Sequence, residues 1–197
     1  MRSLILGLCL LASPAAATGL RITIEGEANG VVEIDLLEEI APKAVEQIAA
    51  LANEGFYDGV VFHRVIDGFM AQTGDGQYGN VANLDMGRAG TGDSQRPNLP
   101  AEFSEVPFDR GVVGMASLGD PRCRGQAGCV EGDEFLNSAN AQFFIMFAEG
   151  HFLNGNYTVI GRVTSGMEVI DAIKLGEGRN GSVLGQPDVM ADVEVID

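Results

Sequence analysis

The sequence predicts an all-β-dominated domain, a closed antiparallel β-barrel capped by two α-helices. Three observations carry this. Segments with a two-residue apolar period run from one end of the chain to the other. Helical spacing appears only twice, once near each end, without the β-α-β-α rhythm of a parallel sheet. Glycines number 27 against 7 prolines, as a chain with many turns requires. Closing the sheet removes the edges that it would otherwise expose.

Taken in order, Leu20-Arg21-Ile22-Thr23-Ile24 and Val32-Glu33-Ile34-Asp35-Leu36 alternate around a turn at Asn29-Gly30, a hairpin pattern. Pro42 opens a helix that runs to about Glu54. Proline suits the first helical turn, Val45, Ile48, Ala49 and Ala52 recur at helical spacing, and Gly55 ends it. Residues 60–66 form one β-rich run, Asp67-Gly68 a turn, and 69–75 a second extended stretch. Residues 76–100 are rich in Gly, Asn and Asp without a period. They read as a long surface loop, a length that usually marks function or an insertion. Strands are expected at 111–118, 142–147, 157–163 and 189–196, and a short helix at 167–173. Residues 119–136 are irregular and charged.

The 197 residues, 46% apolar and 20% charged, suit one domain large enough to bury its own core. The formal charge is −16, and only Lys43 and Lys174 are lysines. A field of that sign repels phosphate backbones and anionic bilayers, which argues against nucleic-acid and membrane partners. Tryptophan is absent, so aromatic recognition falls to ten Phe and three Tyr.

Residues 1–17 read as a signal peptide: Arg2, an apolar stretch over 4–12, then Ala15-Ala16-Ala17. A mature chain from Thr18 is therefore expected, exported to the periplasm, with full secretion the alternative. Export leaves Cys123 and Cys129, an even pair in an oxidising compartment and hence a candidate disulfide. Two histidines and one cysteine pair lack metal-ligand spacing, so no metal is expected. Nor does the chain contain a G-x-S-x-G turn, a P-loop or a G-x-G-x-x-G. Asn156-Tyr157-Thr158 and Asn180-Gly181-Ser182 fit the glycosylation pattern and are taken as unused.

The informative stretch is Phe62-His63-Arg64-Val65-Ile66-Asp67-Gly68-Phe69-Met70-Ala71-Gln72-Thr73-Gly74-Asp75. On pattern alone, Arg64 reads as a solvated or salt-bridged strand residue. Phe69 and Met70 read as core, and His63 as a hydrogen-bonded structural histidine.

This stretch resembles the central motif of the cyclophilin family of peptidyl-prolyl cis-trans isomerases. Asp67 stands where Pro is common, and Thr73 where Gly is common. Asn140-Ala141-Gln142-Phe143-Phe144-Ile145 is similar to the family's Gln-Phe-Phe strand. The segment from Phe152-Leu153-Asn154-Gly155 to Gly161 is similar to its Leu-Asp-Gly loop and following strand. Residues 41–46 resemble the first helix, and Gly114-Met115-Ala116 the central strand. The order agrees, and the likeness covers residues 20–197.

The resemblance implies an eight-stranded barrel, residues 18–197 as one isomerase domain, and no cofactor. The implied partners are proline-containing polypeptides, and a monomer is expected. It implies Arg64 and Gln72 as the catalytic pair. Arg64 would donate to the proline nitrogen as the amide twists, and Gln72 would hold the guanidinium and the substrate backbone. Phe69, Met70, Phe144 and Leu153 would form the proline pocket, and Ala116 and Ser117 the floor beneath the preceding residue. His63, Gln142, Phe152 and Tyr157 complete the implied substrate contacts. The alternative reading is a proline-peptide binding module or holdase with little catalysis.

Departures from the family pattern matter as well. Phe152 occupies a position that is Trp in many members and contributes to cyclosporin binding, so weak cyclosporin affinity is expected. Tyr157 stands for a common His, and Ser117 for a common Asn. The segment between Ser117 and Gln142 is longer than in the compact family pattern. The insertion, about 118–136 with both cysteines, is expected beside the peptide groove.

Overall fold

In the computed structural model, which describes residues 18–123 and 132–197, the expected hairpin forms. β1 (Gly19–Glu25) and β2 (Gly30–Leu36) pair antiparallel, with Leu20 opposite Ile34 and Ile22 opposite Val32. The alternation thus puts one face of both strands into the core. Residues 1–17, expected to be a signal peptide, and Cys129 lie outside the described residues.

The remaining strands are β3 (Val60–Val61), β4 (Arg64–Ile66), β5 (Met70–Thr73), β6 (Val112–Met115), β7 (Phe143–Met146), β8 (Val159–Ser165) and β9 (Val189–Ile196). All nine belong to one sheet in the order β3-β9-β1-β2-β8-β6-β7-β5-β4, and every pairing is antiparallel. This corrects two expectations. The sheet has nine strands rather than eight, and no ladder closes it among the described residues. Its edge strands β3 and β4 are instead joined by the two residues Phe62-His63, so the sheet curls until covalent chain links its edges. The single strand expected over 60–66 is split for the same reason: β3 pairs with β9, and β4 with β5. Thr73 bridges the gap from the side, its hydroxyl donating to the Val61 carbonyl at 3.0 Å.

α1 (Pro42–Asn53) starts at the proline, and Gly55 follows its end at φ +70°. Its first turn has no local side-chain cap. The Glu102 carboxylate caps it from a distance, accepting from the Lys43 and Ala44 amides at 3.2 and 2.9 Å. α2 (Asp133–Leu136) is a short turn of helix inside the stretch expected to be irregular. α3 (Met167–Asp171) ends two residues before the expected boundary. No described helix is long and apolar enough to cross a membrane.

The main core joins Ile22, Val32 and Ile34 of the hairpin to Val45, Ile48 and Leu51 of α1 and to Phe62 and Phe143. A second, smaller cluster holds Met70, Phe108, Phe144, Met146 and Leu153, with Phe69, Ala116 and Tyr157 packed against it. It underlies the site described next.

The long loop over 76–100 does exist, and one buried residue orders it. The Asp75 carboxylate is fully buried and accepts four backbone N–H groups: Gln77 and Tyr78 at 3.0 and 2.9 Å, Gly90 and Gly92 at 2.7 and 2.9 Å. A buried carboxylate needs such partners to offset its lost hydration. Gly92 must be glycine here, because a Cβ would stand 2.3 Å from the Asp75 carboxylate.

Candidate active site

The site follows from strand register. Arg64 on β4 is opposite Gln72 on β5, Gln72 is opposite Phe144 on β7, and Phe144 is opposite Gly114 on β6. Four adjacent strands thus align these residues in one row. In a sheet, directly opposite side chains share a face and meet.

Arg64 is held from two sides. Nη1 donates to Gln72 Oε1 at 3.1 Å and approaches Met70 Sδ at 3.7 Å, while Nε donates to the Asn180 carbonyl at 2.9 Å. Nη2 has no hydrogen-bond partner among the described residues. Gln72 Nε2 donates in turn to Gln142 Oε1 at 3.0 Å, and Gln142 Nε2 to the Gly92 carbonyl at 2.8 Å. The guanidinium is therefore the end of a rail running back to the Asp75-ordered loop. Burial lowers the Arg64 pKa from its usual value and the neighbouring Tyr157 raises it, but arginine stays charged across the physiological range.

Beside the guanidinium lies an open cleft of about 280 Å³. Arg64, Gln72, Ala116 and Ser117 line its polar side. Phe69, Met70, Phe144, Phe152, Leu153 and Tyr157 line the rest. Phe144 forms the floor, stacked on buried Phe108 at 5.7 Å and meeting Tyr157 edge-on at 5.7 Å. Gly114 makes room for this stack, since a Cβ there would come within 2.6 Å of Phe108 and 2.7 Å of Phe144. At the rim Phe152 is 71% exposed and leans on Phe69, ring centres 5.5 Å apart.

A second cleft adjoins the first and shares Gln72, Ala116 and Ser117 with it. Gln142 lies there, as do Asp93, Asn140, Ser138 and Leu118. Leu118 is the root of the expected insertion, and its amide donates to Ser138 Oγ at 2.7 Å. Beyond it, buried Asp120 accepts from the Arg122 side chain at 2.6–3.0 Å. The Asp120 carboxyl is held down at about 2, chiefly by its hydrogen bonds from Arg122.

His63 is the exception among the expected site residues. It is only 4% exposed and lines neither cleft, because it sits in the linker that turns inward between β3 and β4. The hydrogen bonding expected of a structural histidine is weak: among the described residues neither ring nitrogen makes a well-formed hydrogen bond, and the Val61 backbone offers only a marginal one. Burial pushes its pKa down to about 4, with Asp75 opposing and Arg64 reinforcing that shift.

The structural roles of Asn180, Asp75 and Phe108 escaped the sequence reading, in which Asp75 is only the end of the 62–75 stretch and Asn180 only part of a glycosylation triplet. Asn180-Gly181 was a visible signal, since Asn before Gly often takes the left-handed conformation and Asn180 does so at φ 59°. Nothing local in the sequence marks Asp75 as the centre of the following loop or Phe108 as the support beneath the cleft.

The family model "Cyclophilin type peptidyl-prolyl cis-trans isomerase/CLD" matches residues 20–195. A probable peptidyl-prolyl cis-trans isomerase of Brucella suis is 53% identical over 157 residues, covering 79% of this chain and 72% of that protein. A peptidyl-prolyl cis-trans isomerase of Helicobacter pylori is 34% identical over 151 residues, covering 76% and 77%. Among solved structures, a cyclophilin type peptidyl-prolyl cis-trans isomerase of Cryptosporidium parvum shares the fold. Its TM-score is 0.70 at 24% identity, covering 92% of this chain and 99% of that one.

Proposed function

The chain belongs to the cyclophilin family and is a peptidyl-prolyl cis-trans isomerase, and from that premise we propose that Arg64 and Gln72 carry the reaction on exported polypeptides. Rotation about an X–Pro bond is opposed by roughly 18–20 kcal/mol of lost amide resonance. No bond is made or broken, so the protein need only bind the twisted amide better than either planar form. Twisting makes the proline nitrogen pyramidal and gives it a lone pair. A fixed cationic donor aimed at that nitrogen stabilises the twisted state selectively.

One observation carries this reading. Arg64 is pinned through Nε and Nη1 by Asn180 and Gln72, while Nη2 keeps its donors beside an apolar cleft. Phe69, Met70, Phe144 and Leu153 suit a pyrrolidine ring and exclude water that would compete for the guanidinium. Ala116 and Ser117 offer backbone to an extended peptide.

Export is supported by the apolar segment over 4–12, the alanines at 15–17 and the bonded state of Cys123, for which Cys129 is the proposed partner. A mature N-terminus at Thr18 and periplasmic fractionation test it. Cyclosporin affinity is taken as weak, since Phe152 offers no indole N–H, and the protein as a monomer.

Exchange NMR on a short Ala-Pro peptide tests the core of the reading. Wild type accelerates cis–trans exchange, and Arg64→Ala is expected to lose about 10²–10³-fold, typical for removal of one preorganised donor. A variant within threefold of wild type would remove Arg64 from the mechanism.

A further inference from the structure

We propose that the second cleft selects substrates with a cationic side chain a few residues from the proline, and that Asp93 reads it. The inference rests on the isomerase reading and deepens it by naming a substrate class. Both clefts share Gln72, Ala116 and Ser117. A peptide with its proline in the first cleft and its chain over that shared floor therefore delivers a side chain to the second.

Most polar groups lining the second cleft are already committed. Asn140 accepts from Ser94 and donates to the Arg96 carbonyl and to Asn98. Gln142 is engaged by Gln72 and Gly92. Ser138 Oγ accepts from Leu118 and donates to the Phe135 carbonyl. The Gly90 and Gly92 amides belong to Asp75. Among the described residues, Asp93 is the one charged residue in the lining. It is exposed, its Oδ1 accepts only from the Gln95 amide at 2.9 Å, and no described cation pairs with it.

Half of the described cations are held by carboxylates of the protein itself. Arg21, Arg96, Arg110, Arg122 and Lys174 each face a carboxylate. The net charge of −16 speeds the approach of cations to the molecule as a whole, and Asp93 is the group that would hold one at this cleft.

The test is a set of Ala-Pro peptides with Lys, Gln or Glu scanned through three positions on each flank, read by exchange NMR. At low salt, one flank is expected to rank Lys over Gln over Glu. Each step is about two- to fivefold, the scale of an exposed ion pair. The ranking should sit in KM rather than kcat, since the contact is remote from the rotating bond. It should shrink toward unity in 0.5 M salt, where the Debye length is only a few Å. Asp93→Asn, which keeps the acceptor for Gln95, should abolish it. A flat scan overturns the proposal, as does a ranking that survives Asp93→Asn, which would assign it to the overall field. Failure to turn over the all-Ala peptide would instead remove the isomerase reading beneath it.

Discussion

Arg64 and Gln72 stand directly opposite each other on β4 and β5, joined by a 3.1 Å hydrogen bond from Nη1 to Oε1. The bond fixes one edge of the guanidinium fork and so sets where the other points. Gln72→Ala is expected to lower kcat/KM by about tenfold, since a displaced catalytic group costs one to two orders of magnitude. The double variant with Arg64→Ala should be no slower than Arg64→Ala alone, because both act as one unit. Exchange NMR on the three variants checks this; additive losses would mean Gln72 acts independently.

Asp75 should matter for stability rather than chemistry. Asp75→Asn replaces an acceptor oxygen by an N–H₂ facing backbone donors that have no other partner among the described residues. A loss of about 2–4 kcal/mol is expected from the stranded amides. Urea denaturation measures it, and hydrogen exchange should show Gly90 and Gly92 losing protection first.

His63 makes stability fall in mild acid. Its pKa is about 4 when folded, against an ordinary 6.5 when unfolded. Between those values the unfolded chain binds a proton that the folded chain refuses, so stability drops as pH falls from 6.5 toward 4. The full effect is about 3 kcal/mol at 1.36 kcal/mol per unit. Exposed His151 acts with opposite sign, its pKa raised by Asp109. Its stabilisation is present at low pH and lost as pH rises through the folded pKa. Denaturation midpoints at pH 4.5 and 7 should differ less in His63→Leu than in wild type.

Gly114→Ala tests the floor of the first cleft. The new methyl would press on both Phe108 and Phe144. Overpacking of this kind costs about 1–3 kcal/mol. Tilting Phe144 should also raise KM for the Ala-Pro peptide. An unchanged KM with lowered stability would show that the rings yield away from the cleft.

Much of this protein is written locally. The two-residue alternation over 20–36 is enough for the first hairpin, because one face of each strand must be buried. Pro42 and Gly55 bracket α1 by their own backbone preferences. The stretch 62–75 and the Gln-Phe-Phe segment resemble the cyclophilin family closely enough to point to the family, and through that resemblance to the residues proposed for the site, whereas pattern alone reads Arg64 as a solvated or salt-bridged strand residue.

What only the tertiary structure decided is long-range. Arg64 is anchored by the carbonyl of Asn180, 116 positions away. Asp75 becomes the centre of a loop because chain that follows it folds back over it. The run at 60–66 splits because its halves find different partners, β9 and β5, and this turns His63 inward. Strand alternation specifies which face a residue takes. Which strand lies alongside, and which backbone group then reaches a side chain, depends on how the whole sheet curls.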